Sequence, residues 1–117
     1  MTIRREQLDA GLVDLKDVTT GKRIPPIHPG EILREDFLRP LGISVYALAN
    51  AIKVPRSRVN DIVLGRRTIT ADTALRLGRY FGTSAEFWIN LQAHYDLAVV
   101  KETSRRRIDK EIEPHAA

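Results

Sequence analysis

Apolar residues recur at helical spacing in five stretches downstream of residue 28, and period-two alternation is weak throughout. Ile32, Leu33, Phe37 and Leu38 form the first stripe. His28-Pro29-Gly30-Glu31 precedes it as a helix start, with proline suited to the first helical position and glutamate to the positive end of the helix dipole. Pro40 and Gly42 are expected to end it. Ser44 is placed to cap a second helix carrying Val45, Leu48, Ala49 and Ile52. After a tight turn at Lys53-Val54, Pro55 opens a third, with Val59 and Ile62 as its apolar pair and Gly65 as its end. Thr70 or Thr68 caps a fourth, whose apolar set is Ala74, Leu75, Leu77, Tyr80 and Phe81, and Gly82 closes it. Ser84 caps a fifth, SAEFWINLQAHYDLAVV. The expected class is therefore all-α, a five-helix domain over residues 28–100.

The flanks read differently. Residues 1–27 hold a weak helical pattern at Leu8, Leu12 and Leu15, then a linker ending in Pro25-Pro26, and are expected to be a weakly structured extension. Thr19-Thr20-Gly21-Lys22 has part of a phosphate-loop signature, but Lys16 and Arg23 stand where that loop needs Gly and Ser or Thr. Residues 101–117 are a charged tail, expected to fray. Cysteine is absent, which removes disulfide and thiolate chemistry. The N-terminus lacks the apolar segment of a signal peptide, and no apolar run approaches membrane-spanning length. A soluble cytoplasmic protein without membrane contact is expected.

Charge changes the picture more than composition does. The net charge is +4, and residues 44–67 alone carry +4, from Lys53, Arg56, Arg58, Arg66 and Arg67 against Asp61. A localised basic patch is an electrostatic footprint for polyanions, although a solvated basic face is the bland explanation of any charge count. Geometry favours the polyanion. Two short helices, 44–52 and 55–64, joined by a turn of a few residues form a helix-turn-helix. With Val59 and Ile62 inward, Arg56, Ser57, Asn60 and Asp61 point outward and Arg58 lies on the flank. Such a face enters the major groove, where Arg pairs with guanine, Asn with adenine, and Asp accepts from cytosine. Arg66 and Arg67, in the following turn, have the reach of phosphate clamps, and Ser44 can donate to phosphate. The alternative is a helical hairpin of an ordinary bundle, a protein-interaction module that leaves the basic helix unexplained.

The last helix carries two apolar stripes. Phe87, Trp88, Leu91, Tyr95 and Ala98 share one face and read as core. Ile89, Ala93, Leu97 and Val100 share another. A surface helix needs one stripe, so the second calls for cover, and a two-fold partner is the commonest source. Cover by the tails is the alternative. No catalytic or metal site is expected and no cofactor: His28, His94 and His115 lack ligand spacing. The serines have simpler roles, Ser44 and Ser84 as caps and Ser57 on the outer face.

At LANAIKVPRSRVNDIVLGRRTITADTALRLGRYF the chain resembles the helix-turn-helix of the XRE (Cro/C1-type repressor) superfamily. The flanks HPGEILREDFLRPLGIS and FGTSAEFWINLQAHYDLAVV narrow the resemblance, over residues 28–100, to the HigA (VapI-like) antitoxin family. The resemblance implies a homodimer on palindromic operator DNA. It also implies autorepression of a toxin–antitoxin operon and neutralisation of a HigB-type, RelE-like mRNA endonuclease toxin. Carried over by position, it puts Arg56, Ser57 and Asp61 toward bases, with Asn60 beside them, and Arg58, Arg66 and Arg67 toward phosphates. A stand-alone transcriptional regulator without a toxin shares the same DNA face.

Overall fold

The computed structural model describes residues 25–116; the expected helical pattern at Leu8, Leu12 and Leu15 and the residue 19–22 segment lie outside them. Among the described residues five helices follow one another. Helix α1 starts at Pro29 as an α-turn (Pro29–Ile32), widens into a π-helical stretch (Leu33–Leu38) and closes with Arg39–Leu41. Helix α2 is Val45–Ile52, α3 Arg56–Val63, α4 Ala71–Phe81 and α5 Ala85–Glu111.

Local chemistry accounts for most of the boundaries. Ser44, Thr70 and Ser84 each accept, through the side-chain oxygen, the amide three residues on, at 3.0, 3.3 and 3.1 Å. These bonds satisfy donors that a helix N-terminus leaves free. Gly42 and Gly82 end α1 and α4 in the left-handed region, which glycine enters without a Cβ penalty. Pro40 does not end α1, as expected from sequence, but sits inside its last turn. A proline ring clashes with the carbonyl four residues back. The preceding turn is widened instead: the Arg39 amide bonds Arg34 O, five residues back.

Leu33, Phe37, Leu48, Ile52, Val59, Ile62, Ile69, Leu77, Trp88 and Leu91 are among the buried residues that make one continuous core. Trp88 lies at its centre, fully buried, with Phe37 and Phe87 ring centroids each 4.9 Å away. Its indole Nε1–H donates to Thr83 Oγ1 at 2.9 Å, so the one polar atom of the ring is satisfied. Within α4 the buried face is Thr73, Ala74, Leu77 and Gly78, while Leu75 and Tyr80, expected inside, are exposed. Both flank a shallow groove against Ala51 and Ile52.

Helix α5 outruns the core. Its last buried residue is Gln92, yet it stays helical to Glu111, past the boundary at residue 100 where the sequence pattern gave out. Arg105–Asp109 and Arg107–Glu111 pairs at i,i+4 lie along this segment, at 3.5 and 3.9 Å. Such pairs add a few tenths of a kcal/mol each to a helix.

Candidate nucleic-acid interface

Helices α2 and α3 form the expected helix-turn-helix. Leu48, Ala49 and Ile52 of the first and Val59, Ile62 and Val63 of the second are buried against each other and the core. The turn bends at Lys53, whose φ of 61° is the one positive value at a non-glycine residue among those described. Val54 N–H then closes back on Ala49 O at 3.1 Å.

Two arginines from outside the pair hold the ends of these helices. Arg34 of α1 donates to Val63 O at 2.9 Å, at the C-terminus of α3. Arg76 of α4 donates to Ile52 O at 2.8 Å, at the C-terminus of α2, while its Nε binds Asp72 at 2.9 Å. A cation suits those carbonyls both as a donor and against the helix dipole. Helix α1 also packs directly on α3. A Cβ placed on Gly30 would stand 1.7 Å from Ile62 O, so only glycine allows this approach. His28 Nδ1 accepts the Gly30 amide at 2.9 Å, and its ring packs edge-to-face with Tyr95, centroids 4.9 Å apart. Partial burial pushes the His28 imidazole below its ordinary value, partly offset by the Asp96 carboxylate.

The loop after α3 is anchored from the other side. Gln92, buried on α5, accepts the Ile69 amide at 2.9 Å and donates to Asp96 at 3.0 Å. The loop bearing Arg66 and Arg67 is thereby tied to the long last helix.

With the scaffold fixed, Arg56, Ser57, Arg58 and Asn60 are exposed on α3, and Arg66 and Arg67 on the loop beyond it. Arg58 and Arg67 make no ion pair or side-chain hydrogen bond among the described residues. Asp61 stands apart from the outward set: it is half-buried, with a carboxylate oxygen 3.8 Å from the Arg66 guanidinium. Arg66 N–H also bonds Asp61 O at 2.8 Å, which turns the loop back on the helix. Ser44 is exposed and its oxygen is engaged as a cap, leaving the hydroxyl proton free to donate. Pro55 supplies no side-chain cap to α3.

Sequence reasoning missed Gly30, Arg34, Arg76 and Gln92 as supports. It missed Tyr46 as well, which is exposed on α2 with its ring centre 5.6 Å from the Arg56 guanidinium carbon. Only the Asp72–Arg76 spacing was a local signal; the other contacts join residues remote in sequence.

On α5, Ala93, Leu97 and Val100 are exposed, and the same face continues to Ile108. Ile89 is half-buried and packs in part on the core. Residues 101–111 do not fold back over this stripe, being part of the same helix. No helix among the described residues is long and apolar enough to cross a membrane, and no described cluster of His, Asp and Glu has the arrangement of a metal site.

Residues 33–88 match the family model described as helix-turn-helix. Virulence-associated protein I of Dichelobacter nodosus is 55% identical over 86 residues, covering 73% of this chain and 80% of that protein. Antitoxin HigA-1 of Vibrio cholerae serotype O1 is 40% identical over 72 residues, covering 62% of this chain and 68% of that protein. Among solved structures, Pseudomonas aeruginosa antitoxin HigA with the higBA promoter superposes with a TM-score of 0.75 at 56% identity, covering 78% of this chain and 99% of that one.

Proposed function

The chain belongs to the HigA (VapI-like) antitoxin family of XRE-type helix-turn-helix proteins, and from that premise we propose that it is an operator-binding antitoxin that represses its own operon. The observation that carries the reading is the outer face of α3. Arg56, Ser57, Arg58 and Asn60 are exposed while Val59, Ile62 and Val63 are locked in the core. A helix held that firmly, with its polar face free, has the shape and donors to read base edges in the major groove.

In this reading Arg56, Ser57 and Asn60 face bases. Arg58, Arg66, Arg67 and Ser44 meet phosphates, which sets affinity and register rather than sequence. Asp61, 3.8 Å from the Arg66 guanidinium, stands at the edge of the base-facing set beside the phosphate contacts. The protein acts as a homodimer through Ala93, Leu97 and Val100, with Ile89 at the inner edge. That pairing presents two recognition helices to half-sites about 34–36 Å apart on a palindrome. The partner it neutralises is a HigB-type, RelE-like toxin, supported by membership of an antitoxin family.

Mobility shift with DNA from upstream of the protein's own gene, at several salt concentrations and against an unrelated duplex, tests the DNA reading. Salt-sensitive binding that prefers the upstream DNA is expected; equal binding to both duplexes refutes an operator function. Sedimentation of Leu97→Glu tests the dimer, which that charge should dissociate. Co-purification with the product of the adjacent gene tests the toxin.

A further inference from the structure

Tyr46 is 59% exposed, so core packing does not account for a large aromatic ring at that position of α2. Its ring lies under the guanidinium of Arg56, 5.6 Å from ring centre to guanidinium carbon, within the range of a cation–π contact. Arg56 is the first residue of α3 and has no other side-chain partner among the described residues. A long arginine beside DNA has two competing destinations, the nearest phosphate and a base edge. Phosphates take it without regard to sequence, whereas bidentate pairing with guanine requires the planar fork to arrive in one orientation. An aromatic face beneath the fork selects that orientation before DNA arrives and limits the rotamer freedom lost on binding.

We propose that Tyr46 is a positioning residue that stacks Arg56 into the groove and so sets sequence preference at one base pair of each half-site. This rests on the reading of α3 as the recognition helix. The hydroxyl plays no part; the ring does.

The test compares wild type, Tyr46→Leu, Tyr46→Phe, Arg56→Ala and the double variant Tyr46→Leu/Arg56→Ala. Competition binding uses the upstream DNA of the protein's own gene, a set of single-base variants of it, and an unrelated duplex. Tyr46→Leu should lower the ratio of specific to non-specific affinity about two- to five-fold, the size of an exposed cation–π contact. The loss should fall at the base pair that Arg56→Ala relaxes, with the salt slope unchanged because no phosphate partner is removed. Tyr46→Phe should match wild type, and the double variant should match Arg56→Ala alone. Equal weakening on every duplex, additivity with Arg56→Ala, or a Tyr46→Phe as impaired as Tyr46→Leu would each overturn the proposal. If Arg56→Ala relaxes preference and Tyr46→Leu does not, the role of Tyr46 alone fails. If Arg56→Ala leaves preference intact while Arg66→Ala still flattens the salt dependence, the assignment of α3 fails and Tyr46 with it.

Discussion

Replacing Gly30 with alanine adds one methyl group at the point where α1 rests on α3. That carbon would meet Ile62 O at 1.7 Å and Ile62 C at 2.7 Å, where ordinary contact begins near 3.4 Å. Both atoms are backbone, so no rotamer change gives room, and the helices must part by on the order of 1.5–2 Å to restore contact. Overpacking of this kind costs about 1–3 kcal/mol, occasionally more. Parting the helices also stretches the Arg34–Val63 O bond from 2.9 Å, and a hydrogen bond from a charged donor is worth about 1.5–3 kcal/mol. Alanine's better helix propensity returns at most about 1 kcal/mol. The net expectation is a loss of about 2–4 kcal/mol, or a melting temperature lower by about 10–25 °C for a domain of this size. Far-UV circular dichroism melts at one fixed protein concentration measure it, because the midpoint of any protein that self-associates depends on concentration. Gly42→Ala is the control. It has a φ of 66° and no neighbour within 4 Å, so it should cost only the left-handed strain of about 1–2 kcal/mol. A Gly30→Ala protein that melts within about 2 °C of wild type would mean that the α1–α3 contact is not rigid, and the account of how α3 is held would be wrong.

Arg66→Ala should weaken binding to all duplexes alike and make the salt slope shallower by about one unit, while Arg56→Ala should relax sequence preference at a cost of about 1–3 kcal/mol; competition binding across a salt series separates the two. Gln92→Leu strands the Ile69 amide, which is buried and accepted by Gln92 Oε1 at 2.9 Å. A loss of about 1–3 kcal/mol in a urea melt is expected, with faster hydrogen exchange at Ile69. Lowering the pH through the histidine range should destabilise the fold through His28. Its folded-state value lies below the ordinary one, so the unfolded chain binds the proton more readily, and stability present above about pH 6.5 is lost as pH falls toward the folded value. His28→Asn offers an amide oxygen as cap acceptor in place of Nδ1 but cannot titrate there, and a melt series whose pH slope is unchanged by it would assign that slope to other groups.

The side-chain caps Ser44, Thr70 and Ser84 and the glycine ends Gly42 and Gly82 are legible from neighbours within three residues. So are the inward positions of α2 and α3, because a 3.6-residue period puts Leu48, Ala49 and Ile52, or Val59 and Ile62, on one side whatever they face. The basic excess near α3 is a property of composition and needs no fold to be seen. Tertiary structure alone decides what each periodic face meets. Leu75 and Tyr80 fit the period of α4 yet remain exposed, since no described element covers that edge. Asp61 fits the outward face of α3 yet turns to Arg66, since the loop folds back there. Arg34 and Arg76 carry the same charge as Arg56 but spend it on helix carbonyls 29 and 24 residues away in the chain. Gly30 reads as a residue of a helix start until Ile62 is brought against it. Periodicity and capping follow from bonds between near neighbours, whereas these roles depend on backbone groups that only the packing of α1, α4 and α5 around the helix-turn-helix brings within reach.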